Sequence, residues 1–239
     1  MMNLEITIPV LNEEKTLRFQ VVKIMAYLES INIGTVDITL SIADNGSTDN
    51  TRDIAEKLEK EYPKKIRFVK VSKKGVGLAL KTSWESSNAD IVGYMDLDLA
   101  TDINHIMQVV DIFSTNNSVD IVYGSRLHKT SEVIGRSVKR EITSRIFNWI
   151  LKKYLSVGFS DGMCGFKFLK KSIFTEVIQN RASSDGWFFC TELLVVSEKM
   201  KKNLVELPVK WTDDEESKVK IISLSIEYLK AMRELKNHE

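Results

Sequence analysis

Ala89-Asp90-Ile91-Val92-Gly93-Tyr94-Met95-Asp96-Leu97-Asp98-Leu99-Ala100-Thr101-Asp102 is the stretch whose reading decides the fold. An apolar run, Ile91 to Met95, leads into two carboxylates one residue apart. As a buried strand, the run carries the chain through a core and delivers Asp96 and Asp98 at its carboxyl end. Residues i and i+2 of an extended segment point the same way, so both carboxylates face one object. Two hard oxygen anions on one side suit a divalent cation shared with substrate phosphates and water. An isolated Asp-x-Asp is also ordinary turn or cap chemistry. The rest of the chain decides between the two.

Upstream, Leu4 to Val10 alternates as a first strand, and Leu17, Val21, Ile24, Met25 and Leu28 recur at helical spacing. Val36 to Ala43 is a second strand, stopping at the turn-forming Asp44-Asn45-Gly46-Ser47-Thr48-Asp49 before a helix through Ile54 and Leu58. Ile66 to Val71 is a third strand, followed by Lys73-Lys74-Gly75-Val76-Gly77 and a helix through Leu80 and Trp84. Beyond Asp98 come a helix (Ile103, Ile106, Met107, Val110) and a fifth strand, Val119 to Tyr123, ending in Gly124-Ser125-Arg126. Strands alternating with helices predict an α/β fold, a mostly parallel sheet with helices on both faces. In such sheets ligands sit outside the carboxyl ends of the strands. The polar and glycine-containing segments fall at those ends: Asn12-Glu13, Asp44 to Asp49, Lys73 to Gly77, Asp96 to Asp98 and Gly124 to Arg126. A nucleotide is large enough to touch them all.

Known phosphate loops are missing. No G-x-x-x-x-G-K-S/T is present and no G-x-G-x-x-G follows the first strand; Gly75-Val76-Gly77 is too short a match to carry weight. What remains is a phosphate ligand held through a metal. With 239 residues and 43% hydrophobic content, the chain can bury a large core as one domain or one domain with an appendage. A net charge of +1 argues against nucleic acid as a partner. Two cysteines, Cys164 and Cys190, lack metal-type spacing and point to a reducing compartment. Glu5 interrupts the first apolar run, so no secretory signal is expected, and no run of about 18 apolar residues is present to span a bilayer. The expectation is a cytoplasmic protein that touches a membrane, if at all, from outside.

After residue 130 the pattern changes. Arg136, Lys139, Arg140 and Arg145 lead into a helix through Ile146, Trp149, Ile150 and Tyr154, with Arg140 placed to share a face with Arg136 and Ser144. Such a basic face is also compatible with simple solvation. Ser160 to Phe168 is a glycine-punctuated loop running into a short strand, and Glu192 heads an apolar helix where the dipole favours an acid. Leu204 to Lys210 reads as a last strand and Trp211 to Lys220 as a charged loop. The tail through Val219, Ile222, Ile226, Leu229 and Met232 is amphipathic, for docking on the core or for membrane or dimer contact.

Assembled, these segments resemble the family 2 inverting glycosyltransferases, nearest in look to the dolichyl-phosphate (polyprenyl-phosphate) glucosyltransferases and mannose synthases. The resemblance covers almost the whole chain. It rests on Ile8-Pro9-Val10-Leu11-Asn12-Glu13, Ala43 to Asp49, Lys74-Gly75, Met95 to Thr101 and Gly124-Ser125-Arg126. Arg136-Ser137, Arg140, Asp161 with Cys164-Gly165-Phe166-Lys167, Gly186-Trp187 with Glu192-Leu193-Leu194, and Trp211-Thr212 with Ser217-Lys218 complete it. It implies a GT-A fold, a Rossmann-like single catalytic domain over 1–239. Residues 1–125 would form the nucleotide-sugar part and 126–239 the acceptor part.

By position, the resemblance implies that Pro9, Val10, Glu13 and Asp44 hold the base and ribose, with Lys74, Gly75 and Lys218 near the donor phosphates. Asp96 and Asp98 would hold Mg²⁺ or Mn²⁺, and Arg126, Arg140 and Ser144 the phosphate of a polyprenyl acceptor. The donor implied is UDP-glucose before GDP-mannose, because Asp-x-Asp-x-Ala-Thr and Cys-Gly-Phe-Lys look more like the glucosyl branch. An anionic phosphate acceptor needs no strong base. A hydroxyl acceptor, as in polysaccharide or protein glycosylation, would need one, and Asp161 and Glu192 are the candidates. A nucleotide-sugar-binding regulatory module is a further alternative, which the retained acids disfavour. Val76, Leu78 and Ala100 depart from the pattern of relatives. The transmembrane helices many lipid-phosphate transferases carry are not seen, so a lipid acceptor would be met by peripheral contact or through a membrane partner.

Overall fold

The computed structural model describes residues 2–31, 34, 36–180, 182–213 and 221–237, with side chains left out at 221–226. Along it run β1 (Met2–Val10), α1 (Leu17–Ser30), β2 (Val36–Asp44), α2 (Thr51–Glu61), β3 (Ile66–Lys70), α3 (Val76–Glu85), β4 (Ile91–Met95), α4 (His105–Thr115) and β5 (Ile121–Ser125). There follow β6 (Glu132–Ile134), α5 (Val138–Leu155), β7 (Phe166–Lys170), α6 (Lys171–Gln179), α7 (Phe189–Lys199), β8 (Leu204–Pro208), β9 (Lys210–Thr212) and α8 (Ile221–Asn237).

Seven strands form one sheet in the order β3-β2-β1-β4-β7-β5-β8. All pairings are parallel except those of β7, which runs antiparallel between β4 and β5. The chain winds outward from β1 to β3 and then returns to the other side of β1 with β4, so the order reverses there. That reversal opens a crevice at the carboxyl ends. The apolar strands are covered on both faces. Leu17, Val21 and Ile24 of α1, Leu58 of α2 and Ile106, Val109 and Phe113 of α4 close one side. Trp84, Leu151, Phe174, Phe189 and Leu193, from α3, α5, α6 and α7, close the other. Gly93 of β4 lies under the Phe168 ring of its β7 partner, where an added Cβ would come within 2.1 Å of a ring carbon.

Two elements differ from expectation. The strand predicted for Leu204 to Lys210 breaks in two, because β5 ends at Ser125 and the edge strand runs out of partner after Pro208. Lys210 joins Trp211 and Thr212, read as the start of a loop, in a short strand that pairs in parallel with β6 and lies beside residues 100–102. There Asp102 N–H donates to Lys210 O at 2.9 Å and Thr212 N–H to Ala100 O at 2.8 Å. Of the amphipathic tail, Tyr228 and Met232 pack into the core and Leu229 is exposed, while Val219 lies outside the described residues.

Candidate active site

The two carboxylates stand on the crevice rim. β4 ends at Met95, leaving Asp96 half-buried and Asp98 exposed. Leu99 adopts φ +55°, a left-handed turn costly for a bulky residue, and Asp98 Oδ1 accepts a hydrogen bond from Ala100 N–H at 2.9 Å. Antiparallel β7 enters the sheet at this same rim. The residue just before it, Gly165, lies so close to Asp96 that a Cβ would meet Oδ2 at 1.8 Å. Burial and the neighbouring Asp98 charge push the Asp96 carboxyl up to about 7, against the pull of Arg126 and Lys167. Two crowded acids of this kind fit a hard divalent cation. No group of three or more His, Cys, Asp or Glu that could hold a metal gathers among the described residues. The protein's share of a Mg²⁺ or Mn²⁺ shell would thus be Asp96 and Asp98, with phosphate oxygens and water for the rest.

Across the rim lies a cluster of arginines. Arg126, just beyond β5, grips buried Asp161 with Nε to Oδ2 at 2.8 Å and Nη2 to Oδ1 at 3.0 Å, while its own N–H also donates to Oδ2 at 3.1 Å. Burial would raise the Asp161 carboxyl, but the Arg126 charge and hydrogen bonds prevail and hold it at about 2. The Trp211 ring lies beneath two guanidinium groups, its centroid 5.4 Å from that of Arg126 and 5.5 Å from that of Arg136. Arg136 is mostly buried; its Nη1 is 3.2 Å from Glu141 Oε2, yet neither Nε nor Nη1 makes a hydrogen bond among the described residues. Arg140, in the first turn of α5, donates to Asp213 at 2.6 Å. Ser144 is one turn further on, buried, its hydroxyl without a hydrogen-bond partner among the described residues. The pairing of residues 210–212 with 100–102 ties this cluster to the Asp96–Asp98 segment. Lys167, fully buried in β7, donates to Cys164 O at 2.5 Å, and burial lowers its pKa.

At the carboxyl ends of β1 and β2, Pro9 and Val10 lie opposite Ala43 and Asp44. Asp44 is wholly buried and accepts from Ser47 N–H at 2.9 Å, with Arg52 3.4 Å away. Glu13 is fixed by its own N–H to Thr51 Oγ1 at 2.7 Å. Gly75 departs from the expected role. Its N–H is taken by Asn45 Oδ1, and its Cα presses on Asp185, where a Cβ would meet the carbonyl oxygen at 2.5 Å. Two amides of the first turn of α3 are also taken, Gly77 N–H by Gly186 O and Leu78 N–H by Asp185 O, both at 3.1 Å. These three amides at the helix start are therefore held by protein rather than open to phosphate. Lys74 is exposed, and Lys218 lies outside the described residues. Glu192, in the first turn of α7, is buried and accepts from Ser184 N–H at 2.9 Å; burial raises its pKa. A cavity of about 260 Å³ lined by Glu5, Asp37, Arg67 and Ser87 lies at the opposite, amino end of β1 and β2, away from these groups.

Residues 5–178 match the sequence model described as Glycosyl transferase family 2. The chain belongs to this family. Glycosyltransferase AglD of Haloferax volcanii is 29% identical over 217 residues, 91% of this chain and 34% of that protein. Human dolichyl-phosphate beta-glucosyltransferase is 29% identical over 229 residues, 90% of this chain and 69% of that protein. The chain thus spans about a third of the first relative and about two thirds of the second. Among solved structures, glucosyl-3-phosphoglycerate synthase from Mycobacterium tuberculosis superposes with a TM-score of 0.69 at 17% identity, covering 98% of this chain and 80% of that one. That structure contains Mn²⁺, UDP and glucosyl-3-phosphoglycerate. The likeness establishes the GT-A fold.

Three neighbours in this family 2 site were not singled out from the sequence as site residues: Arg136, Lys167 and Trp211. One of them carried a signal. Lys167 is a lone cation between Phe166 and Phe168 in an apolar strand, a position that calls for a buried partner. Trp211 falls in a segment read as loop, which hid its contact with two arginines.

Proposed function

We propose that this family 2 transferase moves a hexose, glucose before mannose, from a nucleotide sugar to a polyprenyl phosphate with inversion. The observation that carries the reading is the arginine cluster around Trp211, tied by β9 to the Asp96–Asp98 segment. The names of the dolichyl-phosphate relatives support the lipid acceptor, and the UDP and Mn²⁺ of the structural neighbour support the donor and the metal. Asp96 and Asp98 would hold Mg²⁺ or Mn²⁺. When bound, the ion supplies Lewis-acid stabilisation of the departing diphosphate. Pro9, Val10, Glu13 and Asp44 seat the nucleoside. Arg126, Arg136, Arg140 and Ser144 hold the acceptor phosphate, whose oxygen attacks the anomeric carbon from the face opposite the leaving group. Guanidinium forks suit such a phosphate.

A phosphate acceptor arrives already ionised, so the site needs no base. This agrees with Asp161, whose oxygens are spoken for by Arg126 and whose carboxyl, at about 2, is too weak a base. The hydroxyl-acceptor alternative retains Glu192, where burial raises the pKa as a base requires. We place the enzyme at the cytoplasmic face of a membrane, as a peripheral protein. The test is a panel of nucleotide sugars with Mg²⁺ or Mn²⁺, with and without a short polyprenyl phosphate. Lipid-linked product that falls by about 10²-fold in Asp98→Asn, equivalent to about 2.7 kcal/mol of barrier, is the expected result. Donor binding without transfer to any phosphate lipid would move the assignment to a hydroxyl acceptor and to Glu192.

A further inference from the structure

The outward side of α5 is as apolar as its inward side. Ser144, Asn148, Leu151 and Leu155 face the core. On the opposite side Val138, Ile142, Ile146 and Trp149 recur at helical spacing in the solvent, Val138 at 74% and Trp149 at 61% exposure. A helix on a water-facing surface ordinarily turns polar residues outward. Here the stripe is flanked by Lys139, Arg145, Lys152 and Lys153. Within α5 five basic residues face one acid, Glu141, which is engaged by Arg136 and Arg145. This concentration stands out in a chain of net charge +1.

We infer that the outer face of α5 seats the protein on an anionic phospholipid bilayer. Apolar anchors with a basic flank match the acyl boundary and the anionic headgroups together. A second copy docked through the same face would bring like charges together, which disfavours self-association. Val138 to Trp149 spans about 17 Å at 1.5 Å per residue, well short of a bilayer core of about 30 Å. No helix among the described residues is long and apolar enough to cross a membrane. The helix therefore lies in the plane of the interface, with the Trp149 ring at headgroup level. Exposed Leu229 of α8 extends the surface. It joins Ile150, Tyr154, Met232 and Arg233 around a cavity of about 210 Å³ between the two helices. The inference deepens the proposed reaction, since α5 also carries Arg140 and Ser144, but its test is independent of transfer.

The experiment is flotation of the full chain with vesicles of phosphatidylcholine alone and of phosphatidylcholine mixed with phosphatidylglycerol. The protein should float with the mixed vesicles and not with the neutral ones. The double variant Ile142→Glu/Ile146→Glu should lose at least tenfold in bound fraction while keeping its melting temperature. Lys152→Gln and Lys153→Gln should each cost about fivefold, from the attraction of a lysine to an anionic surface. A blue shift of tryptophan fluorescence on vesicle addition should vanish in Trp149→Phe. Flotation of the double variant equal to the parent, or no flotation of the parent on anionic vesicles, would overturn the inference. So would a parent dimer that these substitutions dissociate, since the face would then bind a second copy. Loss of transfer to a short polyprenyl phosphate with flotation intact would count against the proposed reaction alone.

Discussion

A methyl group at residue 165 would sit 1.8 Å from Asp96 Oδ2, closer than any non-bonded pair tolerates. Gly165→Ala must therefore push the carboxylate off its place at the end of β4. A displacement of about 1 Å costs on the order of 10² in turnover. The expected outcome is a folded protein with that loss in transfer, read by a steady-state assay beside a thermal melt. Arg126 and Asp161 make a different kind of residue-level claim. Asp161→Asn leaves a buried guanidinium without its counter-charge, and denaturant unfolding should show a loss of about 3–5 kcal/mol. The pH dependence has a definite sign. With the Asp161 carboxyl near 2 in the fold and 3.8 as its ordinary value, the contribution is present above about pH 4 and lost as pH falls towards 2. It amounts to about 2 kcal/mol, and urea titrations between pH 5 and 2 should show a shallower decline in Asp161→Asn than in the parent. The acids themselves were legible in the sequence, because Asp-x-Asp at the end of an apolar strand is a local pattern. The grip of Arg126 on Asp161 was not, since the two are 35 residues apart and only the fold joins them.

At the scale of elements, the first four parallel strands were legible from their apolar runs, and Ile91–Met95 has the predicted bounds. The direction of β7 was not. A five-residue apolar strand looks alike in either orientation, and only its neighbours determine which way it runs. The capping of α3 was hidden in the same way. Its glycines invite a phosphate interpretation, whereas the space around Gly77 belongs to the segment before α7 and to that helix's first residue. A Cβ there would meet Ser184 O at 2.5 Å and Phe189 Cβ at 2.6 Å. Gly77→Ala should cost about 1–3 kcal/mol by overpacking, a loss that a melting curve will register whether or not donor is bound. A phosphate-cradling glycine would instead show its loss chiefly in donor affinity.

For the molecule as a whole, the carboxyl rim predicted from sequence is where the strand ends collect their polar residues, and helices cover both faces of the sheet. The division at residue 125 into donor and acceptor parts does not divide the sheet, because β7, from the later part, is hydrogen-bonded between β4 and β5 of the earlier one. A fragment of residues 1–125 would leave β4 bare on one side and β5 with neither neighbour. It should show no cooperative unfolding transition, which circular dichroism against temperature will test. During synthesis the same arrangement sets a timetable. β5 leaves the ribosome some 40 residues ahead of β7, about 2–9 s at ordinary elongation rates, and its partners on both sides are still to come. For that interval the nascent chain displays unpaired strand edges that invite a stranger's strand, so its need for a chaperone peaks midway, eases when Phe166–Lys170 slots home and ends only when Leu204–Pro208 covers the far side of β5.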